Sequence, residues 1–238
     1  MSALARPDGA AIASLAARAA QLGGKDGWNG YSVLHTAAAR VGALDVGFVP
    51  GAGGRSAAQM AAPGALDLLF LLGADEIDIA PGAFVIYIGT HGDAGAQRAD
   101  VILPGAAYPE KSGIYVSTEG RVQMAGRASF PPGDAREDWA ILRALSDVLG
   151  RKLPYDSLSQ LRQALFKAHP QLQRIDQITP AERADISALA ARGGALEKAA
   201  FGRALDDFYL TNPIARASAV MAECSLIAEG HAALTAAE

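Results

Sequence analysis

Three short apolar runs in the first half of the chain predict a sheet. Residues 66–72 are apolar apart from Asp67, residues 84–88 are apolar throughout, and residues 101–103 form a β-branched, apolar run that stops at Pro104-Gly105. Continuous apolar runs of this length, bounded by turn residues, are typical of strands buried on both faces of a parallel sheet. The pattern therefore predicts three buried parallel strands, separated by short loops and helical turns.

Apolar residues at helical spacing predict further elements before these strands. A first helix opens at residues 7–9 and ends at residues 23–24, and its apolar face comprises Ile12, Leu15, Ala16, Ala19 and Leu22. Asn29 is suited to cap a second helix, whose apolar positions are Tyr31, Leu34, Ala38 and Val41. Residues 46–49 predict a weak strand, followed by a glycine-rich loop at residues 50–54.

The second half of the chain carries mainly helical patterns. Asp134, followed three residues later by Glu137, predicts a capped helix that ends at Gly150. Further helices are predicted from about residue 157 to 167 and from Asn212 onward. Helices therefore dominate the part of the chain that follows the sheet.

These elements divide the chain into two predicted parts. Residues 1–150 form an α/β domain with a mostly parallel sheet flanked by helices, and residues 151–238 form a helical C-terminal extension. A helix that opens near Asp8 in such a domain normally follows a parallel strand, but only six residues precede Pro7. The domain is therefore predicted to be N-terminally incomplete. Its first helix should pack on a sheet that lacks the adjoining strand, which leaves a strand edge and apolar surface exposed.

Composition limits what the chain can do. Half of the residues are hydrophobic and 19% are charged, which supports a packed core and excludes global disorder. The formal net charge of −4, without a basic stripe, argues against nucleic-acid binding. No apolar run approaches the roughly 20 residues that span a bilayer, and the N-terminus has no apolar signal-peptide core, so no direct membrane insertion is predicted. The one cysteine, Cys224, excludes any cysteine-ligated iron–sulfur cluster held by this chain alone.

The glycine-rich loop at residues 51–54 invites comparison with a dinucleotide-binding turn, where glycines let the backbone approach a pyrophosphate. However, Pro50 stands between the weak strand and the loop, and Ser56 occupies the sixth position of the fingerprint. A flexible connection is the favoured interpretation, and a nucleotide site is the alternative.

His91 and Asp93 lie on a second glycine-rich loop, directly after the strand at residues 84–88. Ligands often bind beyond the carboxyl ends of parallel strands, and a histidine there could handle a proton. A structural role is the favoured interpretation, because position in a fold is only an analogy.

Four further charged residues lie close to predicted turns: Glu110, Lys111, Glu119 and Arg121. The turn at Glu119-Gly120 joins strands predicted at residues 114–117 and 122–124. The four side chains could act as general acid and base, but ion pairs that fix the hairpin are the favoured interpretation. The four histidines show no metal-ligand spacing, so we predict no catalytic, cofactor-binding or metal-binding residue on this chain.

The segment from residue 89 to residue 123 resembles the molybdopterin oxidoreductase family. Residues 101–121 run from Val-Ile-Leu-Pro through Glu-Lys to Thr-Glu-Gly-Arg. The preceding loop, Gly-Thr-His-Gly-Asp-Ala-Gly-Ala at residues 89–96, is similar to the form found in the large (75 kDa) iron–sulfur subunit of respiratory complex I. The resemblance extends over nearly the whole chain, through residues 3–9, 136–139, 153–156 and 207–209.

The resemblance implies a partial molybdopterin-oxidoreductase-like fold that serves as a cofactor-free, structural C-terminal portion of that subunit and supports electron transfer from NADH to quinone. No catalytic residue of the NADH:quinone oxidoreductase reaction is expected on this chain. The iron–sulfur clusters are expected on the missing N-terminal portion of the subunit. The implied partners are that portion and the other peripheral-arm subunits of complex I. The implied location is cytoplasmic and peripheral to the inner membrane, or the matrix side in a mitochondrion.

Two alternatives stay open at this point. The chain could be the pterin-binding fragment of a molybdenum oxidoreductase, which metal and pterin analysis would reveal. It could also be a free-standing small-ligand binding domain, which would not co-purify with iron–sulfur proteins.

Overall fold

The computed structural model describes residues 3–25, 28–37, 40–179 and 181–230. The strands in these ranges are β1 (Leu68–Leu72), β2 (Phe84–Gly89), β3 (Val101–Pro104), β4 (Gly113–Val116) and β5 (Val122–Ala125). The α-helices are α1 (Gly9–Gly23), α2 (Arg40–Asp45), α3 (Ala57–Met60), α4 (Ala94–Arg98), α5 (Asp138–Val148), α6 (Leu158–Ala168), α7 (Arg183–Ala191), α8 (Pro213–Arg216) and α9 (Ala219–Ala228). Short 3-10 helices lie at Ala3–Ala5, Tyr108–Glu110 and Pro170–Gln173. The predicted α/β class is confirmed.

The chain folds into two compact units whose segments alternate along the sequence. The helical unit comprises Met1–Gly47, Ile114–Gln123 and Pro170–Asp206, and the sheet unit comprises Phe48–Gly113, Met124–His169 and Asp207–Glu238. The predicted boundary at residue 150 falls inside a continuous segment of the sheet unit and stays a prediction. Residues 207–230 belong again to the unit that holds the parallel sheet.

The sheet unit is organised by β1, β2 and β3, which lie in that order and run parallel, as the sequence predicted. Leu68 pairs with Phe84 and Ile86 pairs with Val101, so equivalent positions on the three strands point to the same face. One face is closed by a core that comprises Leu69, Leu71, Ile79, Val85 and Tyr87.

The predicted burial of both faces is wrong for β3, where Val101 and Ile102 are 39% and 55% exposed, and for β1. Burial alternates along this strand: Leu69 and Leu71 are buried, whereas Leu68, Phe70 and Leu72 are exposed. An unbroken apolar run predicts a strand with two covered faces, but no part of the described chain buries the second face of β1.

The helices that follow the sheet agree with the sequence except at one start. Glu137, and not Asp134, is the N-cap of α5, because the backbone at Glu137 is still extended (φ −61°, ψ 137°). The predicted end is confirmed, since Gly150 follows α5 with φ +68°. Ser157 caps α6 by accepting a hydrogen bond from the N–H of Gln160 (3.2 Å). None of the helices in the described ranges has both the length and the apolar character required to cross a bilayer.

Helix α1 lies where the sequence predicted it, but it buries a different face and packs against helix α7 rather than on a sheet. The hydroxyl of Ser14 donates to the carbonyl of Ala190 (2.8 Å) and accepts from the N–H of Gly193 (2.9 Å). Leu15 and Leu22, on the predicted apolar face, are 55% and 92% exposed. Small side chains at a contact let two helices approach closely. The face of α1 that carries its small residues therefore packs against α7, and the face with the leucines does not. The buried positions are Gly9, Ala11, Ser14, Ala17 and Ala20.

Between α1 and β1 the predicted strand is wrong, and the predicted helix is wrong in its start, because only Val41 of its named positions lies in α2. Asn29 does not cap a helix; its side-chain oxygen accepts the N–H of Tyr31 (3.0 Å), which closes a local Asx turn. Ala38, one of the predicted apolar positions, lies outside the described residues. Residues 46–49 contain no strand, because Gly47 with φ +70° turns the chain directly after α2.

Candidate functional site

Charged side chains gather where β1 and β2 end. Because parallel strands end at the same edge of a sheet, the residues that follow them are neighbours. Asp75 and Glu76 follow β1, while His91 and Asp93 follow β2. Together with two further residues they form a group that we call the edge cluster: Asp75, Glu76, Tyr87, His91, Asp93 and Arg216.

Asp75 joins the loop after β1 to the start of α4. It is fully buried, and its Oδ1 accepts the N–H of Ala96 (3.0 Å) while its backbone carbonyl accepts the N–H of Gly95 (3.1 Å). A Cβ atom on Gly95 would lie 2.8 Å from Oδ1 of Asp75, so this position requires glycine. Oδ2 of Asp75 has no hydrogen-bond partner among the described residues.

Tyr87 fixes the backbone of the loop after β2. Its buried hydroxyl donates to the backbone carbonyl of His91 (2.7 Å). Burial, and then the negative charges of Asp75 and Glu76, raise the pKa of Tyr87 to about 12. The phenol therefore stays neutral and keeps its donor proton at physiological pH.

The structure does not join the side chains of His91 and Asp93, which the sequence placed on one loop. The imidazole of His91 is exposed, and its Nδ1 lies 3.0 Å from the hydroxyl of Thr90. The carboxylate of Asp93 instead accepts a hydrogen bond from Nε of Arg216 (2.6 Å).

Arg216, on α8, stands between the two strand-end loops. Besides Asp93, its guanidinium reaches the carbonyl of Leu210 (Nη1, 3.4 Å) and lies 3.8 Å from Oε2 of Glu76 (Nη2). Sequence reasoning missed Arg216, because 123 residues separate it from Asp93 and no local pattern links them. Asp75 and Glu76 were also missed, although the rule that singled out the loop after β2 applies equally to the loop after β1.

Two hydrogen-bonded turns hold the segment that carries Arg216. The side-chain oxygen of Asn212 accepts the N–H of Ala215 (2.9 Å) and caps α8. Asp207 accepts a hydrogen bond from the hydroxyl of Ser225 and another from the N–H of Tyr209 (2.8 Å). The hydrogen bond from Ser225 is the main reason that the pKa of Asp207 lies below its usual value.

Glu110 and Lys111 are neighbours in sequence, but each bonds elsewhere. Oε2 of Glu110 accepts the N–H of Ala107 (2.9 Å) and closes the 3-10 turn at residues 108–110. Nζ of Lys111 lies 2.5 Å from Oδ2 of Asp138, the first residue of α5. Glu110 thus fixes a turn, and Lys111 forms an ion pair with Asp138. The two side chains do not form an acid–base pair with each other.

Glu119 and Arg121 flank the turn of the β4–β5 hairpin. Nε of Arg121 donates to Oε1 of Glu119 (2.9 Å), and its Nη1 donates to the carbonyl of Asp176 (2.8 Å). Gly120, with φ +87°, donates its N–H to the carbonyl of Ser117 (2.9 Å). The hairpin has the predicted position, and a structural role of the ion pair stays a prediction.

Two further places have features of ligand sites. The glycine-rich loop closes on itself through a hydrogen bond from the N–H of Gly54 to the carbonyl of Gly51 (2.9 Å), and the following α3 is only four residues long. A cavity of about 460 Å³ lies in the helical unit between α1 and residues 31–36, where burial raises the pKa of Tyr31. Across the described ranges, no group of three or more His, Cys, Asp or Glu side chains is arranged to hold a metal ion.

Two family models match the chain. The model of molybdopterin oxidoreductases matches residues 1–148, and the model of the C-terminal region of the NADH-ubiquinone oxidoreductase G subunit matches residues 177–224. The resemblance drawn from residues 89–123 is therefore confirmed.

Curated relatives point the same way. The mitochondrial 78 kDa subunits of NADH-ubiquinone oxidoreductase from Neurospora crassa and Candida albicans are 47% identical over 206 residues and 45% identical over 207 residues. Each match covers 83% of this chain, but only 27% and 28% of the relatives. The 75 kDa subunit from Reclinomonas americana is 44% identical over 203 residues, which cover 84% of this chain and 29% of that protein. The matched part of the chain thus spans less than a third of these relatives.

Proposed function

The chain belongs to the molybdopterin oxidoreductase family, and we propose that it is a cofactor-free, structural C-terminal portion of the large iron–sulfur subunit of NADH-ubiquinone oxidoreductase, respiratory complex I. In this role it supports electron transfer from NADH to quinone by completing a subunit whose iron–sulfur clusters lie on the polypeptide outside these 238 residues. Its partners are that polypeptide and other subunits of the peripheral arm. Its location is at the inner membrane without crossing it, on the matrix side in a mitochondrion.

The observation that carries the cofactor-free part of this proposal is the hydrogen bonding within the edge cluster. The pterin cofactor that gives the family its name carries an anionic phosphate, which requires cations or free N–H donors. Three carboxylates lie at this edge against one guanidinium, which donates to Asp93 through Nε and lies 3.8 Å from Glu76, while its buried Nη2 has no hydrogen-bond partner among the described residues. The N–H groups of Gly95 and Ala96, at the start of α4, are bound to Asp75. These residues do not fit the cofactor, and we derive no chemical step through it.

Metal and pterin analysis tests the proposal directly. The protein is purified from a host that makes the molybdenum cofactor and is analysed for iron, molybdenum and pterin. We expect none in stoichiometric amount, because a single cysteine cannot hold an iron–sulfur cluster and the edge cluster has three carboxylates for one guanidinium, which disfavours an anionic cofactor. Stoichiometric molybdenum with pterin would contradict the proposal and favour a fragment of a molybdenum oxidoreductase.

An activity measurement tests the structural role. We expect no saturable NADH oxidation by the chain alone, because the loop at residues 51–54 is closed by its own hydrogen bond. If turnover appears and is lost in Gly53→Val, the loop binds a nucleotide and the structural proposal fails. Affinity purification from native cells should recover iron–sulfur proteins of complex I together with the chain.

The cavity in the helical unit favours one second candidate, binding of a small apolar ligand. Its walls combine apolar atoms of Ile12 and Leu34 with the polar groups of Tyr31 and His35. The substitution Ala13→Leu narrows this space, since Ala13 also lines it. Mass spectrometry of the native protein would then show a bound compound that the variant loses, and recovery of no compound would remove this candidate.

A further inference from the structure

A second cavity lies in the sheet unit, along the loop that leads into α5. Its volume is about 330 Å³, and all of its lining residues lie between Arg127 and Ala140, in one continuous segment of the chain. Apolar and aromatic side chains make up most of its wall, with two arginines and one glutamate beside them. A concave, mainly apolar wall with a few polar groups is typical of a small-molecule site.

Backbone hydrogen bonds hold this segment at both ends. The N–H of Ala128 donates to the carbonyl of Pro109 (2.8 Å). At the other end, Arg136 donates its N–H to the carbonyl of Pro104 (3.1 Å), and its own carbonyl accepts the N–H of Ala106 (2.9 Å). Because the wall is fixed in advance, a ligand that binds here pays little for ordering it.

One carboxylate connects the aromatic side chains of the cavity. Oε2 of Glu137 accepts the indole N–H of Trp139 (2.8 Å), and its Oε1 lies 3.6 Å from Nη1 of Arg127. The guanidinium of Arg127 in turn lies 4.2 Å from the ring centroid of Phe130. Phe130 is 75% exposed, and Trp139 is only partly buried. Both rings therefore keep a surface that a flat ligand can cover.

Arg136 gives the cavity a positive charge that no carboxylate neutralises. Its Nη1 donates to the carbonyls of Ala135 (2.8 Å) and Gly133 (3.3 Å), which fix the guanidinium and leave its charge in place. Glu137, the acidic residue of the wall, is paired with Arg127 instead. The whole chain has a formal net charge of −4, so the cavity has a local charge of the opposite sign. A fixed guanidinium of this kind suits a phosphate or a carboxylate.

We propose that this cavity binds a small molecule in which a flat aromatic ring carries an anionic group, a phosphate or a carboxylate. The ring covers the open surfaces of Phe130 and Trp139, and the anion bonds to the guanidinium of Arg136. A neutral apolar ligand would leave that guanidinium unused. The inference does not depend on the proposed function, because no residue of the edge cluster lines this cavity.

An NMR titration of the full chain tests the inference. The chain has two tryptophans, so the indole N–H signal of Trp139 reports on the cavity, and that of Trp28, in the helical unit, is an internal control. Adenosine monophosphate supplies a ring with a phosphate, and N-acetyltryptophan supplies a ring with a carboxylate. Adenosine and inorganic phosphate each lack one of the two groups. We expect at least one of the two anionic aromatic compounds to shift the Trp139 signal saturably, and each control compound to bind about tenfold more weakly or less.

Matched variants identify the side chains that bind the ligand. Arg136→Gln removes the charge and should weaken binding about tenfold, the worth of one charged hydrogen bond. Arg151→Gln is the control, because this exposed arginine follows the far end of α5. That helix has 11 residues and is roughly 16 Å long, which exceeds the Debye length of about 10 Å at 0.1 M salt. Phe130→Ala should weaken binding as well, whereas Phe48→Ala, at another exposed phenylalanine of the sheet unit, should not.

The outcomes separate cleanly. Binding of adenosine monophosphate alone identifies a phosphate ligand, and binding of N-acetyltryptophan alone identifies a carboxylate ligand; either supports the inference. It is overturned if neither compound shifts the Trp139 signal, if adenosine or inorganic phosphate binds equally well, or if Arg136→Gln binds like the wild type. The proposed function survives each of these results, since cofactor analysis tests it separately. Should a variant fail to fold by circular dichroism, the comparison of the four compounds on the wild type decides.

Discussion

The two units of the molecule have cores of different kinds. Large apolar side chains fill the core of the sheet unit, with Leu71, Val85 and Tyr87 among them. In the helical unit, α1 contributes Ala17 and Ala20 to the contact with α7, whose buried members are Ile186 and Ala190, and the buried hydroxyl of Ser14 bonds across the contact. The comparison teaches that a hydrophobic pattern identifies the buried face only where large side chains form it. Where alanines form the contact, leucines on the same helix can be left exposed.

The largest loss of stability is expected when a large side chain is removed from the core of the sheet unit. Leu71→Ala removes a buried side chain and leaves a cavity, so we expect a loss of about 2–5 kcal/mol in the free energy of unfolding. Leu22→Ala, at an exposed position of α1, serves as the matched control and should change stability by less than about 0.5 kcal/mol. Urea unfolding measures both. Equal losses in the two variants would mean that the comparison between the cores is wrong.

The helical unit should be destabilised when a larger side chain is placed at the contact between α1 and α7. Ala17 is fully buried at the contact with α7, so Ala17→Leu should force the helices apart at a cost of about 1–3 kcal/mol. Ala19→Leu, on the exposed side of the same helix, should be nearly neutral. Urea unfolding of the two variants gives the difference. A neutral Ala17→Leu would show that the contact is loosely packed.

Acid should weaken the helical unit through Asp8. The hydrogen bond from Arg6, with a second from the N–H of Glu197, lowers the pKa of Asp8 from 3.8 to about 2. Since the folded-state pKa is lowered, the stabilisation is fully present above pH 3.8 and is lost as the pH falls toward 2. Asp8→Asn should therefore be less stable than the wild type at neutral pH. The difference in their free energies of unfolding should shrink as the pH falls from 3.8 to about 2. Unfolding measured at a series of pH values tests this, and a constant gap down to pH 2 would refute it.

The smallest effect is expected at the edge cluster. Arg216 and Asp93 form a partly exposed ion pair, so Arg216→Gln should cost no more than about 1 kcal/mol of global stability. Its local effect should be clearer: hydrogen exchange should speed up in α8 and in the loop at residues 90–93, because Asp93 loses its partner. Arg55→Gln, at an exposed arginine, is the control. Unchanged exchange in both variants would mean that Arg216 does not hold the loop.

Elements defined by local chemistry could be predicted from the sequence. The strands at residues 68–72, 84–89 and 101–104 follow from unbroken apolar runs, and the hairpin follows from Glu119-Gly120 between two short apolar segments. The place of the edge cluster was also predictable, because His91 follows a parallel strand and ligand-facing loops lie at that edge. These predictions depend on residues that are close together in the chain.

Elements that depend on distant partners could not be predicted. The buried face of α1 is decided by α7, since Ser14 bonds to Ala190 and not to anything nearby in sequence. The partner of Asp93 lies on α8, and the partner of Lys111 is Asp138. The exposed face of β1 was missed because an apolar run predicts burial of both faces, whereas Leu68, Phe70 and Leu72 are exposed.

The alternation of the two units along the chain has a consequence for synthesis on the ribosome. The three parallel strands are complete once residue 104 has been made, but Arg216 is added about 112 residues later, a delay of roughly 5–20 s at ordinary elongation rates. During that interval the acidic loops after β1 and β2 have no guanidinium between them, and the nascent sheet is exposed to chaperones and proteases. The guanidinium that joins the two loops is therefore added late, and a nonsense codon shortly before Asp207 would release a chain that contains the apolar strands but lacks Arg216 as the partner of Asp93.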